Sequence, residues 1–143
     1  MRKFIVLLVI ITAVKLSSAQ NEANIWYFQH FCGLDFNSGT PVALYDGLIN
    51  IGTANATISD SLGNFLFCCE WGRAYTKDGI LAYSEGLEGA GHSGIAIVKW
   101  PGQEGMYYIF IGSYFGGFFY SVVDLKENNG LGAVTDINTL LTD

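Results

Sequence analysis

Residues 55–71 constrain the fold of this chain more than any other stretch of the sequence. The first half of this segment alternates apolar and polar residues with a period of two, which predicts a β-strand with one polar face. The second half contains an unbroken apolar run, residues 65–69, which predicts a strand covered on both faces. Residues 60–64, between them, are typical of a tight turn. The segment is a predicted β-hairpin and indicates an all-β protein.

The same patterns predict short strands along the rest of the chain. These strands cover residues 24–28, 33–37, 42–44, 73–76, 80–83, 94–98, 106–111, 118–125 and 133–141. No segment places apolar residues at helical spacing over the roughly 11 to 18 residues that would predict a helix. The longest stretch without periodicity, residues 84–93, is expected to be an exposed loop. The predicted architecture is an antiparallel meander of short strands.

Two aromatic-rich runs suggest how these strands are grouped. Residues 65–67 and 108–110 carry similar patterns 43 residues apart, and repeats of about 40–50 residues are typical of propeller blades. The sequence therefore predicts about two blades of a β-propeller, with β-sandwiches and jelly rolls as alternatives. Two blades form an incomplete ring and would cover residues 65–69 on one side only. We expect a fragment of a longer protein, or a protomer that completes its sheets with another chain.

The first 19 residues have the composition of a secretory signal peptide. Arg2 and Lys3 form a basic start, residues 4–14 are apolar, and residues 17–19 supply a small-residue cleavage site. The eleven apolar residues are fewer than the ~20 needed to span a bilayer. The mature domain is therefore expected to be residues 20–143, secreted to the extracellular space or the outer cell surface, with no membrane span after cleavage.

Charge and composition limit the class of partner. The chain has seven basic and thirteen acidic side chains, a net charge of −6, and 50% hydrophobic residues. A hydrophobic fraction of this size excludes a disordered chain. Nucleic acids and anionic membranes bind basic surfaces, so neither is expected as a partner.

The three cysteines allow at most one intramolecular disulfide in an oxidising compartment. Cys68 and Cys69 are adjacent and point to opposite faces of a strand, without a Cys-x-x-Cys partner or a nearby His pair, so no zinc site is predicted. One interpretation is that the thiols are buried small apolar groups. The alternative is a disulfide from Cys32 to one of the pair, with Cys68 as the candidate.

Several pieces of the chain resemble a known family and occur in the same order as in that family. They are Trp26-Tyr27-Phe28, Gly33-Leu34-Asp35-Phe36, Pro41-Val42-Ala43-Leu44, Ala56-Thr57-Ile58-Ser59-Asp60 with Gly63-Asn64-Phe65-Leu66-Phe67, Tyr107-Tyr108-Ile109-Phe110 and Tyr120-Ser121-Val122-Val123-Asp124. Together they resemble the N-terminal region of large secreted surface proteins of gliding bacteria, which end in a gliding-motility-associated domain for type IX secretion. The resemblance implies a β-propeller-like region without catalytic residues. It also implies that the partners are other domains of a longer chain or a partner protein.

The sequence predicts no catalytic, metal or cofactor site. Gly91-His92-Ser93-Gly94 misses the G-x-S-x-G elbow by one position and precedes a strand instead of a helix. His30 and His92 lack a third metal ligand at a recognisable spacing. The acidic residues lie mostly at predicted turns, where they ordinarily accept hydrogen bonds from the backbone. We therefore expect the chain not to be an enzyme.

Aromatic side chains are the remaining candidates for function. Most are expected in the core, but Trp100, at a strand end, and Trp71 could stack on a ligand such as a polysaccharide. The leading hypothesis is a secreted or cell-surface module for adhesion or protein interaction, the N-terminal part of a larger type IX-secreted protein. The alternatives are a carbohydrate-binding or hydrolytic propeller and a truncated fragment without an independent function.

Overall fold

The computed structural model describes residues 21–50, 54–82, 94–113 and 115–142. Within these ranges the chain forms three antiparallel sheets. The first sheet consists of β1 (Ile25–Tyr27), β2 (Gly33–Asp35) and β3 (Val42–Leu44); the second of β4 (Asn55–Ser59), β5 (Phe65–Glu70), β6 (Arg73–Thr76) and β7 (Gly79–Ala82); the third of β8 (Ile95–Lys99), β9 (Met106–Gly112), β10 (Phe118–Asp124) and β11 (Ala133–Thr142). One short helical turn, α1 (Glu127–Gly130), precedes β11.

The all-β prediction is confirmed, and the strands begin and end close to the predicted positions. In every sheet, strands that are consecutive in sequence are hydrogen-bonded neighbours. The predicted signal peptide and the predicted loop at residues 84–93 lie outside the described residues. Among the described residues there is no apolar helix of the length needed to span a bilayer.

Asp60 builds the turn between β4 and β5, as its sequence context predicts. The Asp60 Oδ1 atom accepts hydrogen bonds from the backbone N–H groups of Leu62, at 2.8 Å, and Asn64, at 2.9 Å. Desolvation raises the pKa of Asp60, but the hydrogen bonds from Asn64, Leu62 and Gly63 outweigh it and hold the pKa below its usual value. The local carboxylate contacts therefore fix the hairpin geometry.

The second sheet is the middle layer of a three-layer stack. Because successive side chains of a strand point to opposite faces, β5 contributes to two separate cores. Phe67 and Cys69 pack with Tyr107 and Ile109 of the third sheet. Cys68 packs on the other face, against a core that includes residues of the first sheet.

The cover on both faces of β5 corrects one expectation from the sequence. Residues 65–69 were expected to be covered on one side only, whereas the first sheet covers one face and the third sheet covers the other. The difference arises because β1, β2 and β3 pair into a layer of their own. The sequence predicted strands at these positions. It carried no signal that three strands of only three residues each would form a separate sheet.

Hydrogen bonds and an ion pair also link the layers at β4. The backbone N–H of Tyr27 donates to Thr57 Oγ1 at 3.2 Å, and the N–H of Ser59 donates to the carbonyl of Glu22 at 2.8 Å. Glu22 forms an ion pair with Lys99 of the third sheet at 3.3 Å. The predicted polar face of β4 is therefore covered, and Ser59 is fully buried with no hydrogen-bond partner for its hydroxyl in the described structure.

Candidate functional site

Trp100 belongs to an aromatic cluster on the outer surface of the third sheet. Residues of β9 alternate between the core and this surface, so Tyr107 and Ile109 are buried whereas Tyr108 and Phe110 are partly exposed. The indole of Trp100 stacks on Tyr108, with ring centroids 4.6 Å apart. The outward-facing side chains, which we call the outer aromatic face, are Val98, Trp100, Tyr108, Phe110, Phe118 and Tyr120.

Strand register aligns the rings of the outer aromatic face. Tyr120 pairs with Phe110 across β10 and β9, and the ring of Phe110 stacks on that of Phe118 at 5.8 Å. Tyr108 meets Tyr120 edge to face at 5.6 Å. The outer aromatic face therefore presents contiguous aromatic surface, a composition found at protein interfaces.

A second aromatic cluster lies at the opposite end of the stack. Trp26 of the first sheet contacts Phe36 at 5.3 Å and Phe28 at 6.3 Å between ring centroids. Its indole N–H donates to the carbonyl of Ala23 at 2.6 Å. Both terminal layers of the stack thus expose aromatic side chains.

Trp71 lies in a different part of the molecule, at the turn between β5 and β6. It lines a cavity of about 220 Å³, which we call the Trp71 pocket, whereas Trp100 lines a shallow depression formed by residues 99–104. The structure therefore does not bring these two predicted ligand-stacking residues together. The other side chains that line the Trp71 pocket are Phe31, Leu48, Asn50, Glu70, Arg73 and Tyr75.

A buried carboxylate contributes to the Trp71 pocket. Glu70 is only 4% exposed, and its Oε1 atom accepts a hydrogen bond from the Tyr75 hydroxyl at 3.3 Å. The Arg73 guanidinium donates to the same hydroxyl at 3.4 Å. Desolvation raises the pKa of Tyr75; the hydrogen bond from Arg73 opposes this shift, and the charge of Glu70 adds to it. The sequence analysis did not identify Glu70, Arg73 or Tyr75 as site residues. The available sequence signal was Glu70, a charged residue at the end of an apolar strand.

The three cysteines are free thiols. The Cys32 thiol donates to the carbonyl of Gln29 at 2.9 Å, and the predicted alternative, a Cys32–Cys68 bridge, is not formed in the structure. Desolvation raises the pKa of Cys68 to about 12, with a contribution from the charge of Glu70, and raises that of Cys69 well above its usual value. Buried thiols with raised pKa values are poor nucleophiles and poor metal ligands.

Of the polar residues considered in the sequence as possible site residues, the structure describes His30 but not His92 or Ser93. His30 is exposed in the loop between β1 and β2. Within those residues, no group of three or more His, Cys, Asp or Glu side chains is placed to bind a metal ion.

Comparisons of the chain with protein-family models, with curated proteins and with solved structures found no match. The observations that bear on function are therefore the outer aromatic face and the Trp71 pocket.

Proposed function

We propose that the chain is a secreted, non-enzymatic interaction module that docks another β-sheet on its outer aromatic face. The observation that carries the proposal is a contiguous aromatic surface at the end of a stack whose inner faces are already covered. Within the chain, the second and third sheets already pack through aromatic side chains like those of the outer aromatic face. The rings of Phe67 and Tyr107 meet edge to face, with centroids 5.5 Å apart. A further sheet would bury the outer face in the same way.

The proposal also interprets the second and third sheets as propeller-like blades. Each is a four-stranded antiparallel meander, and consecutive meanders of this kind pack face to face in propellers. β4 lies against β8, and β7 lies against β11, so equivalent strands of the two sheets are neighbours. In this interpretation the next blade of a longer chain, or a sheet of a partner protein, covers the outer aromatic face.

The family resemblance supports the proposed biological setting. A type IX-secreted surface protein would carry this module at its N-terminus and would place it outside the cell. Adhesion or protein interaction then follows from the exposed sheet face, which offers contact area and no catalytic groups.

Replacing Phe118 with glutamate should weaken self-association of the purified chain that begins at Gln20. A second copy supplies the only additional sheets in such a sample, so the wild-type chain is expected to associate reversibly. Phe118 is 40% exposed, and a carboxylate at this position would lose hydration in any docked complex. Sedimentation velocity over a concentration series should show association at least about tenfold weaker, about 1.4 kcal/mol.

Leu62→Glu is the matched control for this measurement. Leu62 is an apolar residue in the turn between β4 and β5, away from the outer aromatic face, and it is 77% exposed. This variant adds the same charge and should associate like the wild type. A Phe118→Glu variant that associates as tightly as the wild type would contradict the proposed docking. A wild-type chain that stays monomeric at every concentration would show that a second copy does not supply the docked sheet.

A further inference from the structure

Two bulky residues with left-handed backbone conformations line the Trp71 pocket. Six non-glycine residues in the described ranges have positive φ angles; three are asparagines and one is His30, residue types that tolerate this conformation. The remaining two are Phe31, with φ 61°, and Trp71, with φ 31°. Strained backbone of this kind is concentrated at ligand sites, where the surrounding structure maintains it.

The strain at Trp71 arises from the turn in which it lies. Glu70 pairs with Arg73, so Trp71 and Gly72 form a two-residue loop, and both have positive φ angles, 31° and 76°. This is the pattern of a type I′ turn, in which Asn-Gly is a preferred pair. Trp71 is also 55% exposed, so neither the turn nor the core accounts for tryptophan at this position.

Phe31, the second residue with a strained backbone, is held in place by hydrogen bonds on the first-sheet side of the pocket. The backbone N–H of Phe31 donates to the carbonyl of Ile49 at 2.9 Å, and the N–H of Gly47 donates to the carbonyl of Phe31 at 3.0 Å. Ile49 is fully buried and anchors this segment. These bonds fix Phe31 beside Leu48 and Asn50, so the shape of the pocket is largely formed without a ligand.

The lining groups restrict the class of ligand. The carboxylate of Glu70 and the guanidinium of Arg73 carry opposite charges, and Asn50 adds an amide that both donates and accepts. The balanced charge favours a neutral ligand, and the net charge of −6 disfavours an anion. The volume of 220 Å³ is below the range of about 300–1,000 Å³ typical of pockets for drug-sized ligands. A single ring with hydroxyl groups and one apolar face fits these conditions.

We propose that the Trp71 pocket binds the pyranose ring of a neutral sugar. The indole of Trp71 would contact the apolar face of the ring, while Asn50, Glu70 and Arg73 would exchange hydrogen bonds with its hydroxyl groups. This site is separate from the outer aromatic face and does not depend on the proposed docking of a sheet there.

Saturation-transfer NMR of the purified chain with the methyl pyranosides of glucose, galactose, mannose and N-acetylglucosamine tests this proposal. At least one glycoside should receive saturation at its ring protons. The Trp71→Asn variant should lose at least tenfold in affinity for that glycoside. Because Asn-Gly suits the turn better, the same variant should have a higher Tm than the wild type, so the loss of binding would not reflect unfolding.

Trp100→Ala is the matched control, because it removes a tryptophan from the outer aromatic face and should leave glycoside binding unchanged. The proposal would be overturned if none of the four glycosides received saturation or if Trp71→Asn bound as tightly as the wild type. An equal loss in Trp100→Ala would also overturn it. Choline, tested in parallel, should not bind; its binding in place of the sugars would indicate a site for cations instead.

Discussion

Replacement of Phe67 by alanine is expected to lower the free energy of unfolding by about 4 kcal/mol. The Phe67 side chain is fully buried and contacts Tyr107 edge to face at 5.5 Å between ring centroids. Truncation removes apolar contacts and leaves a cavity between the second and third sheets, which rigid strands fill only in part. A loss of this size is a large fraction of the roughly 5–15 kcal/mol that stabilises a typical domain.

Urea unfolding followed by tryptophan fluorescence measures this loss. Phe115→Ala is the control, because Phe115 is 91% exposed, and its replacement should change stability by less than about 0.5 kcal/mol. Phe67→Leu keeps most of the apolar volume and should fold with a smaller loss than Phe67→Ala. If Phe67→Ala cost no more than Phe115→Ala, the second and third sheets would not pack through this position.

Replacement of Gly63 by alanine is expected to lower the free energy of unfolding by about 2–3 kcal/mol. Gly63 has a φ angle of +87°, and an added Cβ atom would overlap the side-chain oxygen of Asn37. The Asn37 amide donates to the Gly63 carbonyl at 3.0 Å and accepts a hydrogen bond from the Asn24 side chain at 3.0 Å. The substitution therefore strains the backbone and displaces a side chain that links two turns.

Gly39→Ala separates these two causes. Gly39 has a similar φ angle, +84°, but an added Cβ atom would meet no atom within 4 Å. Gly39→Ala should cost only the backbone term, about 1 kcal/mol. Thermal or urea unfolding of both variants should give a clearly larger loss for Gly63→Ala. Equal losses would contradict the close approach of Asn37 to the turn.

The sequence predicted the strands well because their signals are local. The alternation in β4, the apolar run in β5 and the turn residues around Asp60 and Gly63 act over a few neighbouring positions, and the structure places both strands of the hairpin at the predicted positions. The turn role of Asp60 follows from the reach of its carboxylate to nearby N–H groups. These features require no knowledge of how the sheets are arranged.

The arrangement of the layers was harder to predict because it depends on distant contacts. Ser59 belongs to the predicted polar face of β4, yet it is fully buried, because the segment around Glu22 covers this part of the strand. The first sheet forms from three very short strands, and its packing on the Cys68 face depends on that long-range pairing. Local periodicity carries no information about which layer covers which face.

The candidate sites show the same limit. Trp71 and Trp100 could be selected as exposed aromatics from their positions at strand ends, but the sequence did not show that they line different cavities. One side of the Trp71 pocket is formed by Phe31, whose backbone N–H donates to the carbonyl of Ile49. This loop of the first sheet lies next to Glu70 in the pocket. The spacing of the residues in the sequence does not predict that contact.

Thiol labelling of the native chain tests the three-layer stack most directly, because the adjacent Cys68 and Cys69 face different layers. Both are fully covered, whereas Cys32 is partly exposed. Iodoacetamide labelling followed by mass spectrometry should modify Cys32 under native conditions, and Cys68 and Cys69 only after unfolding. Native labelling of Cys68 at the rate of Cys32 would show that the first sheet does not cover β5, and a Cys32–Cys68 disulfide would contradict the free thiols of the structure.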